Sequence, residues 1–352
     1  MGDRGNGDKV TTKDIAARLG VSTATVHRAI YGKPGVGEEL RKKILKEVEA
    51  AHYVIDGTAS LMRRDEIKIA VLLPPALEED RFFFRGIWSG IREVEEELKK
   101  QKITLEYVEN RQGINKMGQA LEALYDRTDS SLQGLVTMCD DEESSGWVNR
   151  FSRRGTQVVL VLNSDEATEA LCTLKASHRD MGALAAHIVN LMLAGRTEQV
   201  LCINGSGIVF SCRKYLKGFY ENLEKNLTYS EMLESDIRDY EGKLRQVLAE
   251  AAPPVIFCSS ARTTYHVCRI VQDMGLSGTV KIVGTDVFRE LTPFFEDGTL
   301  LASIYQSGRE QGRQALQILS RKLSGVAGEE VQAVVDMAIG VVMKENYRFF
   351  VT

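Results

Sequence analysis

The hydrophobic and polar positions of the chain follow different patterns before and after residue 66. Between residues 11 and 50, apolar residues recur at the three- and four-residue spacing of short amphipathic helices. From Ile67 onward, short apolar runs alternate with longer amphipathic stretches. Strands separated by helices indicate βαβ units with parallel sheets. The pattern therefore predicts a small helical head followed by an α/β body.

The body contains two successive series of predicted strands. The first comprises residues 67–74, 103–109, 134–139 and 157–163, and the second comprises residues 199–205, 228–235, 253–259 and 281–286. Helices are predicted between them, near residues 86–100, 115–127, 182–195, 211–224, 240–251 and 261–274. Two series imply two doubly wound lobes. Ligands of such folds bind outside the carboxyl ends of the strands, here in the cleft between the lobes.

The composition is typical of a globular protein and excludes several other classes. The 352 residues are 43% hydrophobic and 27% charged, which suits two or three domains. No apolar run approaches the ~18 residues that span a bilayer, and the polar, glycine-rich start lacks the apolar segment of a secretory signal. The cysteines form no C-x-x-C pair, so we expect buried, reduced thiols and no zinc site. We expect a cytoplasmic protein without a membrane partner.

The charge distribution points to nucleic acid although the net charge of −4 does not. Residues 9–64 contain 11 Lys and Arg against 6 Asp and Glu, a balance of +5, so the remainder carries −9. A basic head on an acidic body is expected when only the head meets phosphate.

The head has the sequence pattern of a helix-turn-helix. Thr11 and Thr12 are candidate N-caps of a first helix that Gly20 ends, because glycine adopts the left-handed conformation without cost. Ser22 is predicted to cap a second helix, and a third helix follows from about Glu38. In this arrangement, the start of the second helix reaches base edges in the major groove.

The run TTKDIAARLGVSTATVHRAIYGKPGV, residues 11–36, closely resembles the DNA-binding head of the LacI/GalR family of bacterial regulators, and the match continues without a gap to Tyr53. The resemblance implies base-reading positions at Thr23, Ala24 and Arg28, phosphate contacts at Thr11, Ser22 and Thr25, and a minor-groove wedge position at Thr58. His27 and Tyr31 are further candidate DNA contacts, although they replace the Ser and Asn usual in the family. His27 either touches a base or phosphate or packs at the helix edge. Arg28 suits guanine because its planar fork matches O6 and N7. The alternative is that Arg28 is solvated or contacts only phosphate.

The resemblance extends to a core like that of periplasmic binding proteins and sets the expected domain boundaries. We expect residues 1–8 to be disordered, residues 9–54 to form the head, residues 55–66 to form a hinge and residues 67–352 to form the core. The first lobe should contain residues 67–176 and 304–326, and the second should contain residues 177–303 and 327–346. The chain would then cross between lobes near Ala176, Ser303 and Val326.

The resemblance places a set of residues in the cleft: Phe83, Phe84, His178, Arg179, Arg213, Tyr215, Ile237, Arg262, Asp286 and Gln306. Phe83, Phe84, Asp286 and Gln306 keep the family's pattern, whereas the others depart from its sugar-binding residues. Cations replace carboxylates and amides at several of these positions, and Arg pairs with carboxylate or phosphate groups bidentately. This substitution predicts an anionic effector, a sugar phosphate or sugar acid, with a neutral sugar as the alternative.

Other chemistry has little support in the sequence. The histidines lack metal-ligand spacing, no catalytic triad can be assembled, and no G-x-G-x-x-G motif suggests a cofactor. The sequence therefore predicts no cofactor and no enzymatic activity. The predicted function is a homodimeric transcriptional regulator, most simply a repressor, that binds double-stranded operator DNA under control of a small effector. The alternative is a solute-binding protein of a sugar transport system, which would have no use for residues 11–53.

Overall fold

Three short helices form the head. The structure, a computed structural model, describes residues 11–30, 35–51, 66–77, 81–139, 141–162, 168–205, 210–233, 237–325 and 331–351. Helices α1 (Thr12–Leu19), α2 (Thr23–Ile30) and α3 (Glu38–Ala50) pack around a small core that includes Ile15, Val26 and Ile44. The N-terminal segment 1–8 and the hinge residues 55–65 lie outside the described residues.

The first lobe is built on a six-stranded parallel sheet. Its strands and helices are β1 (Ile67–Leu73), α4 (Arg81–Lys100), β2 (Ile103–Glu109), α5 (Met117–Arg127), β3 (Leu132–Thr137), α6 (Glu142–Arg154), β4 (Gln157–Val161), β5 (Cys172–Lys175), and the later α12 (Gly308–Ser324) and β11 (Val334–Asp336). The strand order is β11-β5-β4-β3-β1-β2. Strands β1, β3 and β4 are buried on both faces, which explains their almost uninterrupted apolar sequences.

The second lobe repeats this topology. It contains α7 (His178–Met192), β6 (Gln199–Asn204), α8 (Phe210–Asn222), β7 (Thr228–Leu233), α9 (Ile237–Ala251), β8 (Val255–Cys258), α10 (Ala261–Asp273), β9 (Lys281–Thr285), α11 (Thr292–Glu296), β10 (Leu300–Tyr305) and β12 (Gly340–Val342). The strand order is β12-β10-β9-β8-β6-β7, and only β12 runs antiparallel to its neighbour. The predicted α/β class with a helix-turn-helix head and two doubly wound lobes is confirmed.

The chain crosses between the lobes at residues 176–177, at residues 306–307 and after Asp336. The third crossing differs from the expected position near Val326. Residues 334–336 still pair with β5, so the chain adds a strand to the first sheet before it joins the second. A three-residue edge strand is too short to show a hydrophobic period, which is why the sequence did not predict it.

Glycines set how closely the helices approach on each lobe. A Cβ on Gly312 of α12 would lie 2.1 Å from the carbonyl oxygen of Ile87 in α4, and one on Gly90 would lie 1.9 Å from that of Arg309. In the second lobe, Gly182 and Gly218 make the equivalent contacts between α7 and α8. The backbones therefore touch where only glycine fits.

The described cysteines match the expectation of buried thiols. All five are buried, and the structure shows no disulfide between them: Cys139, Cys172, Cys202, Cys258 and Cys268. Burial raises the pKa of Cys172 to about 11 and that of Cys202 to about 12, which keeps both thiols protonated at neutral pH.

Candidate DNA-binding head and interlobe cleft

Side-chain caps fix the two helices of the predicted helix-turn-helix. Thr11 and Asp14 form a capping box at the start of α1, and Gly20 ends that helix with φ of +64°. The Ser22 hydroxyl accepts a hydrogen bond from the Thr25 backbone N–H at 3.0 Å, as expected for the cap of α2. Local sequence signals therefore determine the geometry of the turn.

The predicted DNA contacts lie on the solvent side of the head. The side chains of Thr11, Ser22, Thr23, Ala24, His27 and Arg28 are exposed, and that of Thr25 is half-buried. Val26, Ala29 and Ile30 occupy the opposite face of α2 and fill the core. The helix therefore presents its polar face outward, as a recognition helix must. Tyr31 and Thr58 lie outside the described residues.

A buried polar group forms the floor of the cleft between the lobes. Asp286 follows β9 with φ of +66°, and its carboxylate accepts a hydrogen bond from Gln306 Nε2 at 3.0 Å. Burial raises the pKa of Asp286 to about 7, although the hydrogen bond from Gln306 opposes the shift. The carboxyl therefore changes charge near neutral pH.

His178 completes this floor from the first turn of α7. Its side chain is buried, and burial together with the nearby Lys214 lowers the pKa of His178 to about 4, against the influence of Gln306. The imidazole is thus neutral at pH 7. Nδ1 of His178 and Oε1 of Gln306 have no hydrogen-bond partner among the described residues. Buried polar atoms normally have partners, so these two are available to a ligand.

An aromatic wall lies next to the floor. The pocket at Asp286 is lined by Phe82, Phe83, Arg85, Gly86, Val287, Phe288, Tyr305, Gly308, Arg309 and Phe350. Phe82 comes from the first lobe, yet it packs into the second-lobe core and stacks on Phe288 with ring centroids 4.5 Å apart. The two lobes therefore share one aromatic cluster.

Ion pairs cross the cleft beside this wall. Arg85 of α4 donates to both carboxylate oxygens of Glu290 at 3.1 and 3.3 Å, and Arg81 approaches the same carboxylate at 3.8 Å. A bidentate pair of this kind fixes geometry as well as charge. These contacts hold the lobes together on the α4 side of the cleft.

Comparison with known proteins assigns both parts of this architecture. Residues 11–55 match the family model described as "Bacterial regulatory proteins, lacI family", and residues 69–327 match the model described as "Periplasmic binding protein domain". This chain belongs to the lacI family of bacterial regulatory proteins. It is therefore a DNA-binding transcriptional regulator, and its core is of the periplasmic-binding-protein type that binds small molecules, as the sequence predicted.

Relatives of this lacI-family protein match over almost their whole length. The "HTH-type transcriptional repressor PurR" of Photobacterium profundum is 22% identical, with 89% of this chain and 92% of that protein covered. The "Ribose operon repressor" of Haemophilus influenzae is 24% identical with the same coverage. Among solved structures, a putative LacI transcriptional regulator from Bacteroides fragilis has a TM-score of 0.70 at 16% identity, covering 81% of this chain and 100% of that one. The glucose-galactose binding protein GanP of Geobacillus stearothermophilus has a TM-score of 0.68 at 20% identity, covering 80% and 99%.

The structure brings together only part of the cleft set that the family resemblance suggested. Phe83, His178, Asp286 and Gln306 lie at the pocket or its floor. Arg213 and Arg262 occupy the first turns of α8 and α10, which follow the neighbouring strands β6 and β8; Arg213 is exposed and Arg262 is half-buried. The Ile237 side chain lies outside the described residues.

Three residues of that set lie elsewhere. Phe84 is buried in the first-lobe core. Tyr215 is buried in the second-lobe core, where its hydroxyl makes a 3.1 Å hydrogen bond with Thr285. Arg179 is 64% exposed and pairs with Glu221 of α8 at 2.8 Å. Helix geometry explains the difference, because adjacent positions in a helix point about 100° apart and only one of two neighbours faces the cleft.

The pocket also contains residues that the sequence analysis missed. Phe82 precedes Phe83 and Phe84, so the aromatic run was visible, but the sequence does not show which ring faces the other lobe. Phe288 and Phe350 carried no motif, because their positions depend on how the second lobe folds. Within the described residues, no group of His, Cys, Asp and Glu side chains has a metal-binding arrangement. The helices described by the structure include none that is long and apolar enough to cross a bilayer.

Proposed function

We propose that this regulator is a cytoplasmic homodimer that represses transcription by placing two heads on a pseudo-palindromic operator. The exposed face of α2, with Thr23, Ala24 and Arg28, carries this proposal. In a dimeric helix-turn-helix protein, the symmetry of the protein is matched by the symmetry of the operator. Thr11, Ser22 and Thr25 provide hydroxyls at the helix starts, where phosphate contacts set the register.

The base-reading role of Arg28 is tested by two substitutions. Arg28→Ala should cost ~1–3 kcal/mol on the cognate site and relax the preference at one base pair in each half-site. Arg28→Lys keeps the charge but removes the planar fork, so it should lose the same preference while retaining the salt dependence. Binding selections on randomised duplexes measure both quantities. A uniform loss of affinity with unchanged base preference would show that Arg28 contacts only phosphate.

We propose further that the cleft binds a small sugar-like effector. The floor carries this proposal: Gln306 and the neutral His178 offer unpartnered polar atoms beside the Asp286 carboxyl, a set that exchanges hydrogen bonds with hydroxyl groups. The names of two proteins similar to this chain, a ribose operon repressor and a glucose-galactose binding protein, agree with this ligand class. Effector binding would change the lobe angle and hence the spacing of the two heads.

The finer proposal is that the effector carries a phosphate or carboxylate. Arg213 and Arg262, which begin two neighbouring helices at the carboxyl edge of the second sheet, support it. Arg179 does not support it, because this side chain lies beside Glu221 of α8 and not at the pocket. The charge of the floor itself is small at pH 7, so an anionic group would be held by these arginines and the hydroxyls by Asp286 and Gln306.

Calorimetry on the full chain, with ribose, glucose and galactose compared against their phosphates and sugar acids, tests the effector class. Arg213→Ala and Arg262→Ala should each weaken the anionic ligand by ~2–5 kcal/mol if they form charge-assisted contacts with it. Arg179→Ala is the matched control and should leave binding unchanged. If a neutral sugar binds tightest and all three variants bind alike, the anionic part of the proposal is wrong. Deletion of residues 1–64 distinguishes a regulator, which then loses DNA binding alone, from a solute-binding protein.

A further inference from the structure

The C-terminal segment reaches back to the interlobe pocket. After β12, the chain makes a short 3-10 turn, Tyr347–Phe349, and Phe350 then joins the residues that line the pocket. The ring of Phe350 meets that of Tyr305 edge-on, with centroids 5.1 Å apart. Tyr305 ends β10 next to Gln306 of the polar floor. One wall of the pocket therefore comes from a part of the chain about 45 residues beyond β10.

The second lobe holds this segment in place. Tyr347 stacks on Phe295 of α11 with centroids 5.3 Å apart and nearly parallel rings, and its hydroxyl donates to Glu296 at 2.6 Å. The backbone N–H groups of Phe350 and Val351 both donate to the Tyr347 carbonyl, at 2.9 and 3.2 Å. Tyr347, Phe350 and Val351 all pack against the second-lobe core. The position of Phe350 is therefore determined by an anchored turn.

Phe349 and Phe350 are neighbours with opposite environments. Phe349 is 74% exposed and contacts Arg348 through a cation–π interaction at 5.1 Å. Phe350 is half-buried between the core and the pocket. The pair therefore provides a residue at the pocket and a matched control one position away.

The pocket combines polar and aromatic lining residues. Asp286, which accepts a hydrogen bond from Gln306, lines it together with Arg85 and Arg309 and with the rings of Phe82, Phe83, Phe288, Tyr305 and Phe350. A cyclic sugar has both kinds of surface, because its hydroxyls project from the ring edge while its C–H groups form an apolar face. Aromatic rings contribute apolar contact area with defined geometry. The pocket would thus orient a cyclic sugar with its hydroxyls toward the floor.

We propose that Phe350 is a specificity-determining residue of the effector pocket, where its ring packs on the apolar C–H face of a cyclic sugar and selects it over an open-chain polyol. This inference rests on the proposed function, that of a regulator with a sugar-like effector. An open-chain polyol offers the same hydroxyl groups to Asp286 and Gln306 but presents no rigid apolar face to the aromatic wall. Selection at this wall is therefore by shape rather than by charge.

The test measures dissociation constants of the full-length chain by calorimetry for D-ribose, D-glucose and D-galactose, their phosphates and acids, and the corresponding alditols. Phe350→Ala should reduce the preference for the cyclic form over its alditol by about three- to tenfold, in the range expected for one aromatic contact. Phe350→Leu, which keeps apolar bulk, should lose the same preference, so a folding defect in the Ala variant does not decide the result. Phe349→Ala should keep the wild-type preference.

The outcomes separate the inference from the function on which it rests. If the wild-type chain prefers cyclic forms and both Phe350 variants retain that preference, the role of Phe350 is refuted while the effector class stands. If all ligands weaken equally in the Phe350 variants, the residue is structural, and the inference is again refuted. If no cyclic sugar or derivative binds the wild-type chain, the sugar-like effector class fails and the selective role of Phe350 fails with it.

Discussion

Replacing Asp286 by Asn tests whether burial in the cleft floor destabilises the ionised form of this carboxyl. The folded protein buries this carboxyl, and burial raises its pKa from 3.8 to about 7. The unfolded chain ionises the same group near pH 4. The folded state therefore binds the proton more tightly, and the stability that this proton contributes is complete below pH 4 and is lost as the pH rises to about 7.

The magnitude follows from the difference between the two pKa values. At 1.36 kcal/mol per pH unit, the full penalty for ionised Asp286 is roughly 4 kcal/mol above pH 7. About a third of it is already present at pH 5, because the unfolded carboxyl is ionised there. Asn has nearly the same shape, accepts the Gln306 hydrogen bond and never ionises. The unfolding free energy of Asp286→Asn relative to wild type should therefore rise by roughly 2–3 kcal/mol between pH 5 and pH 8.

Urea unfolding followed by circular dichroism at pH 5, 6, 7 and 8 measures this difference. Asp297→Asn is the control: hydrogen bonds from Thr299 and Gln272 lower the pKa of that exposed carboxyl, so its effect should stay constant over the same pH range. Asp286→Asn should also weaken effector binding although it stabilises the fold, as expected when a binding site is built from a strained group. If the unfolding free energy of Asp286→Asn relative to wild type is the same at pH 5 and pH 8, the reasoning is refuted.

Three further predictions concern packing and the hinge. Gly312→Ala should lower the unfolding free energy by at least ~1–3 kcal/mol, because its Cβ would meet the Ile87 carbonyl. Gly242→Ala has open space on α9 and should raise the unfolding free energy by up to ~1 kcal/mol. Equal urea midpoints for the two variants would contradict this prediction. Phe82→Ala removes a ring that is 4% exposed and stacks on Phe288, and such a change in a core costs ~3–5 kcal/mol. The lobes should therefore open, and the radius of gyration measured by X-ray scattering should increase. An unchanged radius of gyration would show that this ring does not hold the lobes together. The family resemblance places Thr58 at the minor-groove wedge position, and threonine is a weaker wedge than an apolar residue, so a circular-permutation gel should show only a weak operator bend. A sharp kink that disappears in Leu61→Ala would show instead that Leu61, three residues later in the hinge, acts as the wedge.

The head shows how far local signals alone can go. Thr11, Gly20 and Ser22 were predicted as helix boundaries because caps depend on a few adjacent residues, and the structure has them there. Asp141 shows the same local chemistry: it caps α6 by accepting a hydrogen bond from the Ser144 N–H at 2.8 Å. The capping chemistry is complete within one turn, so the sequence is sufficient to predict it.

The cleft shows where sequence reasoning stops. Asp286 and Gln306 are 20 positions apart in the chain, and it was the family resemblance that placed both in the cleft. They meet because they follow the neighbouring parallel strands β9 and β10. Arg179 was predicted to face the same cleft, but it pairs with Glu221 because a rotation of about 100° separates it from His178 on the helix. Phe350 reaches the pocket only through the anchored turn at Tyr347.

The sequence by itself determined the head, the two βαβ series, the order of lobes and the regulator family, because hydrophobic periods, caps and motif spacing are properties of short segments. The tertiary structure decided which side chains face the cleft, where the third crossing falls, and that Phe82 and Phe350 complete the pocket. Those features depend on contacts between residues that are far apart in the chain. Such contacts are set by helix rotation and close packing, neither of which leaves a periodic signal in the sequence.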